Sequence, residues 1–126
     1  MSKHNETGIK GEQIAVNFLI KKGYNILFTN WRHGKKEVDI IASTHDILVF
    51  VEVKTRSNFD FGYPEEAVTV KKQQFLQTAA EAFLEINNNY SNIRFDIISI
   101  LLHHGSVKEI IHYEDAFYNT RPPESD

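Results

Sequence analysis

Apolar and polar positions along the chain alternate between two periods. From residue 8 to 22, Ala15, Val16, Phe18 and Leu19 recur at helical spacing, and Gly23 follows as the residue best suited to a left-handed helix end. Tyr24 to Asn30 alternates loosely as a short strand, with Trp31 to Lys36 predicted as a polar loop or hairpin turn. Glu37 to Ala42 is the next strand, and a turn around Ser43 to Asp46 leads into Ile47 to Arg56. That last run, Ile-Leu-Val-Phe-Val-Glu-Val-Lys-Thr-Arg, is apolar enough to be a strand buried on both faces. Its connection to the preceding strand is too short for a crossover, so the two form an antiparallel hairpin.

Ser57 to Tyr63 reads as a loop and Pro64-Glu65-Glu66 as a short turn. Thr69 is an N-cap candidate for a long helix whose apolar positions, Leu76, Ala79, Ala80, Phe83 and Ile86, stop at Asn87-Asn88-Asn89. Arg94 to Leu102 is a second buried strand, His103 to Ser106 a turn, and Val107 to Tyr113 the final strand. The order helix, three strands, helix, two strands predicts an α/β sandwich with a central mixed five-stranded sheet flanked by helices. One domain over residues 1–119 and a disordered tail over 120–126, around Pro122-Pro123, complete the expected organisation.

Composition narrows the function classes. The 126 residues are 41% hydrophobic and 25% charged, as in ordinary globular proteins, and no apolar stretch is long enough to span a membrane. With a polar start and no cysteine, disulfides, thiolate metal sites and a secretory signal are not expected, and a cytoplasmic protein fits. Net charge is −3, against a uniformly basic nucleic-acid coat. Residues 21–72 nevertheless hold nine basic against seven acidic groups, while 73–126 hold three against eight. There is no glycine-rich phosphate loop, so a nucleotide-cofactor enzyme is not expected.

Two charges interrupt the long apolar strand. Glu52 and Lys54 lie two apart and leave the strand by one face. An even-membered hairpin loop would put Asp39 on that same face, whereas an odd loop would turn it away unless a bulge restored the phase. Glu12 lies three before Ala15 and seven before Leu19, on the inward stripe of the first helix. Asp39, Glu52 and the backbone carbonyl of Val53 are hard oxygen donors suited to Mg²⁺ or Mn²⁺. Such an ion could activate water for phosphodiester hydrolysis, with Lys54 orienting the water or stabilising the transition state. Taken alone, Glu-x-Lys is more simply a solvated ion pair worth about 0–1 kcal/mol. With Asp39 and Glu12 added, the two accounts come into balance.

The pattern Asp39, twelve residues, then Glu52-Val53-Lys54 resembles the PD-(D/E)xK nuclease signature in the form found in archaeal Holliday-junction resolvases. More closely, the chain resembles the YraN family of predicted endonucleases. The matching pieces run in order along almost the whole chain: Gly11-Glu12 with Ala15, Gly23-Tyr24, Asn30 with Arg32, Glu37 to Ile41, Val49 to Lys54 with Arg56, Ala67 to Thr69, Lys72-Gln73, Arg94 to Asp96 and Ala116-Phe117. Lys36 stands where a glycine often precedes the Glu-x-Asp segment, and the long helix is about one residue short after Gln73. The resemblance implies a restriction-endonuclease-like fold, a DNA-cleaving activity directed at branched or otherwise non-standard DNA, and Asp39, Glu52, Lys54 and Glu12 as catalytic residues. It also implies a homodimer able to cut two strands. The alternative is a non-catalytic nucleic-acid-binding or assembly module that retains the fold.

Arg56 and Lys72, with Gln73 beside them and Arg32, Lys35 and Lys36 from the predicted loop, are candidate substrate contacts, although solvated charge is the simpler account of the loop lysines. Asp96 suits a structural partner of Arg94 as well as it suits a ligand. The six histidines are expected to be surface or packing residues, with His103 and His104 pointing to opposite faces of an extended segment.

Overall fold

The computed structural model describes residues 3–57 and 69–116; the predicted turn at 64–66, nearly all of the loop before it and the tail from Thr120 lie outside them. Helix α1 spans Lys3–Lys21 and is followed by strands β1 (Asn25–His33), β2 (Lys36–Thr44) and β3 (Ile47–Arg56). Helix α2 (Val70–Ile86) then precedes β4 (Asn92–His103) and β5 (Ser106–Tyr113). The strands form one mixed sheet in the order β1-β2-β3-β4-β5, with β3 and β4 parallel and every other pair antiparallel. This is the predicted α/β sandwich.

Each helix covers one face. Ala15 and Leu19 of α1 pack with Ile40, Ala42, Val49, Val51, Ile98 and Ile100, whereas Leu76, Ala79, Ala80 and Phe83 of α2 pack with Ile41, Leu48, Phe50, Phe95 and Ile97. Along β3 the even positions therefore face α2 and the odd ones α1, the period-two alternation of a strand buried on both sides.

The ends of the helices follow from their caps. Thr69, in extended conformation, accepts a 3.1 Å hydrogen bond from the Lys72 N–H and starts α2 where predicted. At the end of α1, the Tyr24 N–H reaches the Leu19 carbonyl and the Gly23 N–H that of Ile20, with Gly23 at φ 95°. This paired closure needs a left-handed residue, and the buried Leu19 and Tyr24 seal it. The helix begins at Lys3, five residues ahead of the predicted start, because the polar opening turns carry no apolar stripe to betray them.

The loop or hairpin turn expected at Trp31–Lys36 is a hairpin, but its turn is confined to Gly34-Lys35 and the flanking residues are strand. Trp31 pairs with Val38 and packs edge-on against Phe83, centroids 5.4 Å apart, so tertiary burial overrides a locally polar sequence. Arg32 and Lys36 are accordingly strand residues, and Arg32 pairs with Glu37 at 3.3 Å in the open.

On the α1 face, Asp96 is fully buried and accepts hydrogen bonds from Arg94 (2.8 and 2.9 Å) and from the Asp115 N–H (3.0 Å), with the His112 ring nitrogen 2.7 Å away. Arg94 also donates to the Tyr24 hydroxyl at 2.6 Å. Burial works to raise the Asp96 pKa, but His112, Arg94 and the backbone donor together hold it below its ordinary value. Asp96 is thus the structural partner of Arg94, and it ties the end of α1 to β5. His112, 3% exposed, is a buried member of that network and not a surface residue. His104 sits at φ 51° in the β4–β5 turn, which brings its ring within 4.2 Å of His103 instead of to the opposite face.

Helix α1 meets β3 at Gly11. A methyl group there would lie 1.9 Å from Thr55 Oγ1, and rotating Thr55 would still leave its Cβ at 3.0 Å. Gly11→Ala is expected to destabilise the fold by about 1–3 kcal/mol, although alanine is intrinsically about 1 kcal/mol the better helix residue. Thr55→Ala in the same chain should recover most of that loss. Urea denaturation of both single variants and the double variant measures the coupling, and purely additive effects would contradict the contact.

Candidate active site

The hairpin turn between β2 and β3 consists of His45 and Asp46, with Thr44 opposite Ile47. That even-membered turn meets the parity condition, and the ladder then runs in register from Thr44↔Ile47 to Ile40↔Val51. Beyond this pair β2 leaves β3. The Val53 N–H, with no ladder partner from β2, donates to Asp39 Oδ2 at 2.8 Å. A strand residue points its N–H and C=O to the same edge, so the Val53 carbonyl also faces the gap.

The cause of the parting lies in the paired strand. Val38 and Ile41, three apart, both face α2, and so do Trp31 and Phe28, which both contact Phe83. Strict alternation cannot produce that spacing, so both strands break phase between those positions, at Asp39 and at Asn30 opposite it. Asn30 supplies the break with φ 52°, a conformation that asparagine tolerates better than most residues.

Glu52 occupies the other wall. Its side chain is 6% exposed and sits between two ammonium groups, Lys54 Nζ at 3.4 Å from Oε2 and Lys72 Nζ at 3.6 Å from Oε1. Oε1 is nonetheless buried and has no hydrogen-bond partner among the described residues. Lys72 comes from the first turn of α2, and its ammonium also lies 5.4 Å from the centre of the Phe75 ring. Thr69, by capping that turn, fixes where Lys72 emerges. Lys54, Glu52 and Lys72 thus form one chain of charges along the rim between β3 and α2.

Glu12 enters from α1. Desolvation raises its pKa; a hydrogen bond from the Asn30 side chain opposes this, and the charges of Glu37 and Glu52 add to it. Asp39 is displaced further, from 3.8 to about 7, by burial first and then by the charge of Glu52, against the Val53 N–H, with Glu12 adding and Lys72 subtracting. Three carboxylates from α1, β2 and β3 therefore share one electrostatic environment, with Lys54 and Lys72 at its edge. Among the described residues, no three His, Cys, Asp or Glu side chains converge as a complete metal cage. The arrangement is a partial one, two carboxylates and a carbonyl beside a gap.

The candidate substrate contacts are less concentrated. Lys72 is in the site, while Gln73 follows it in the same turn, half-buried. Arg56 ends β3, also half-buried, and Arg32 lies out on the β1–β2 hairpin. Two features escaped the sequence pattern. The ion pair of Lys72 with Glu52 needs the α2–sheet packing to be known, and Asn30 gave only the faint signal of an asparagine within a strand.

Comparison with known proteins places the chain. The profile of the uncharacterised protein family UPF0102 matches residues 11–100. The chain belongs to that family. A UPF0102 protein of Flavobacterium psychrophilum is 49% identical over 119 residues, covering 94% of this chain and 99% of its own length. Others from Phocaeicola vulgatus and Rhodococcus opacus are 45% identical over 118 residues and 43% over 111, covering 94% and 87% of this chain. The family match spans α1 from Gly11 through most of β4, and so includes Glu12, Asn30, Asp39, Glu52, Lys54 and Lys72. No helix of the described residues is long and apolar enough to cross a membrane.

The raised Asp39 pKa has a measurable sign. The unfolded carboxyl loses its proton near pH 4, whereas the folded one retains it to about 7. Between those values the folded state binds more protons, so this group's contribution to stability falls as pH rises through that window. Asp39→Asn, which keeps an acceptor for the Val53 N–H, is expected to flatten the slope of melting temperature between pH 5 and 8. A slope identical in the two proteins would show that the Asp39 pKa is not raised by the fold.

Proposed function

We propose that the chain is a divalent-cation-dependent nuclease of the PD-(D/E)xK type, hydrolysing DNA phosphodiester bonds. One observation above all supports this reading. Where β2 and β3 part, Asp39 and Glu52 face one gap, with the Asp39 pKa raised to about 7 and a Glu52 oxygen buried without a hydrogen-bond partner among the described residues. Buried carboxylates with unmet acceptor capacity fit a hard cation, and Mg²⁺ needs only one or two carboxylates because it keeps several waters. Asp39, Glu52 and the Val53 carbonyl would hold it. The bound ion would neutralise phosphate charge and lower the pKa of a water.

The chain's own residues account for the remaining work. Lys54, 29% exposed and in a 3.4 Å ion pair with Glu52, can turn its ammonium toward a phosphate oxygen where charge develops. Lys72 brings a second positive charge to the same rim and is 30% exposed. Glu12, whose pKa is raised, can hold a water or accept its proton at the α1 side of the gap. The Asp39–Val53 hydrogen bond fixes one carboxylate oxygen at the edge of the gap. In a homodimer, two such sites would serve two strands of a branched substrate.

Linear duplex, single-stranded and four-way-junction DNA, incubated with Mg²⁺ or Mn²⁺, test the proposal. The wild-type protein should cleave at least one of them, and Asp39→Ala and Lys54→Ala should each reduce the rate by about 10²-fold or more. Equal cleavage by all three proteins would overturn the reading. DNA binding without cleavage in either metal would support the non-catalytic module instead. Mn²⁺ binding by calorimetry should disappear in Glu52→Ala.

A further inference from the structure

Beside the Asp39–Glu52 gap, between α1 and β1, lies a cavity of about 450 Å³ lined by Glu12, Gln13, Val16, Asn17, Thr29 and Asn30. Its volume falls within the usual range of ligand clefts. The lining is unusual for the neighbourhood of a phosphate. Among the described residues it contains no lysine or arginine and one carboxylate, so an anionic group is disfavoured there. What it offers is amide chemistry. Gln13 and Asn17, four residues apart, stand on one face of α1, and Asn30 and Thr29 oppose them from β1. Val16 adds an apolar wall between these polar edges. A purely apolar occupant would strand the amides, at the desolvation cost of each.

A neutral, planar ligand with donors and acceptors along its edge satisfies all of these groups at once, and a nucleobase is such a ligand. Side-chain amides make bidentate hydrogen bonds to base edges, and these are accessible when the base is unpaired. Glu12 and the Asn30 carbonyl add acceptors, which favours bases with an exocyclic amino group. The link to the gap is Glu12, which lines the cavity, is hydrogen-bonded by Asn30, and acts electrostatically on both Asp39 and Glu52.

We propose that this cavity is a nucleobase subsite that takes one unpaired, amino-bearing base from the strand whose phosphate lies at the Asp39–Glu52 gap. The proposal rests on the nuclease reading and gives it a substrate class: DNA in which a base next to the cut is free of the duplex. Selectivity then arises without a basic groove, in keeping with a chain of net charge −3. Asn17 and Gln13 are exposed helix positions, so replacing them should leave the fold intact.

Fluorescence anisotropy in chelator separates binding from cleavage. The probes are duplexes carrying one unpaired adenine, cytosine or thymine, or an abasic residue, titrated with wild-type, Asn17→Leu and Gln13→Leu protein. The wild type should bind the adenine or cytosine probe about fivefold or more tightly than the thymine and abasic probes, the scale of one bidentate contact. Each leucine variant should lose that preference while binding the abasic probe as before. Equal binding of all probes by the wild type, or a preference that survives both substitutions, overturns the subsite. Cleavage of these DNAs with Mg²⁺ or Mn²⁺ tests the parent reading separately: cleavage without base preference removes the subsite alone, and base preference without cleavage removes the nuclease alone. No binding of any probe overturns the subsite directly.

Discussion

A sheet buried on both faces normally satisfies its backbone by pairing each strand with the next. Here that rule lapses between β2 and β3 after Ile40 and Val51. A buried N–H left unpaired would cost on the order of 1–3 kcal/mol, and the Asp39 side chain meets the need at Val53 by replacing the missing strand partner. The carboxylate is thus held by the same contact that lets the strands separate. Because the hydrogen bond requires an acceptor, and the gap beside it collects Glu52 and Glu12, the acid that repairs the backbone is also the one whose charge is hardest to accommodate.

The two helices contribute to this one place from opposite faces of the sheet. Gly11 lets α1 approach β3 at Thr55, which brings Glu12 in from one side, and the Thr69 cap sets the turn from which Lys72 reaches Glu52 on the other. The Asp96–Arg94–His112 network holds the far end of α1 to β5 and so limits how the helix can tilt. The buried Asp96 is thereby fully paired, whereas Asp39, two strands away in the same sheet, is left with a raised pKa, a common condition at sites that must bind charge.

Most of the architecture was legible in the chain because its signals are strong. The apolar run Ile47–Val51, the helical spacing of Leu76, Ala79, Ala80 and Phe83, and the caps at Gly23 and Thr69 each specify an element with little help from tertiary contacts. The β1–β2 hairpin was not so legible. Trp31-Arg32-His33 is locally polar and becomes strand because Trp31 has Phe83 to pack against, a fact held by residues far along the chain. For the site, the two-residue turn set the register that brings Asp39 level with Glu52, while the parting of β2 after Ile40 aims the Asp39 carboxylate at the Val53 N–H. The phase break at Asn30 and Asp39 left no periodic trace, and neither did the pairing of Lys72 with Glu52. For His112 the reading as surface or packing residue left open which of the two applies: a histidine in a mostly exposed edge strand is buried only once α1 and Asp96 are in place.

The Val53 amide has a consequence of another kind. It reports directly on Asp39, since its hydrogen lies along a 2.8 Å bond to that carboxylate. Anything that alters the charge there, whether a proton, a cation or an approaching phosphate, must also alter the shielding and the exchange protection of that one N–H. The same bond that mends the sheet therefore makes a main-chain amide into a built-in spectroscopic gauge of the site's ionisation, readable without touching any side chain.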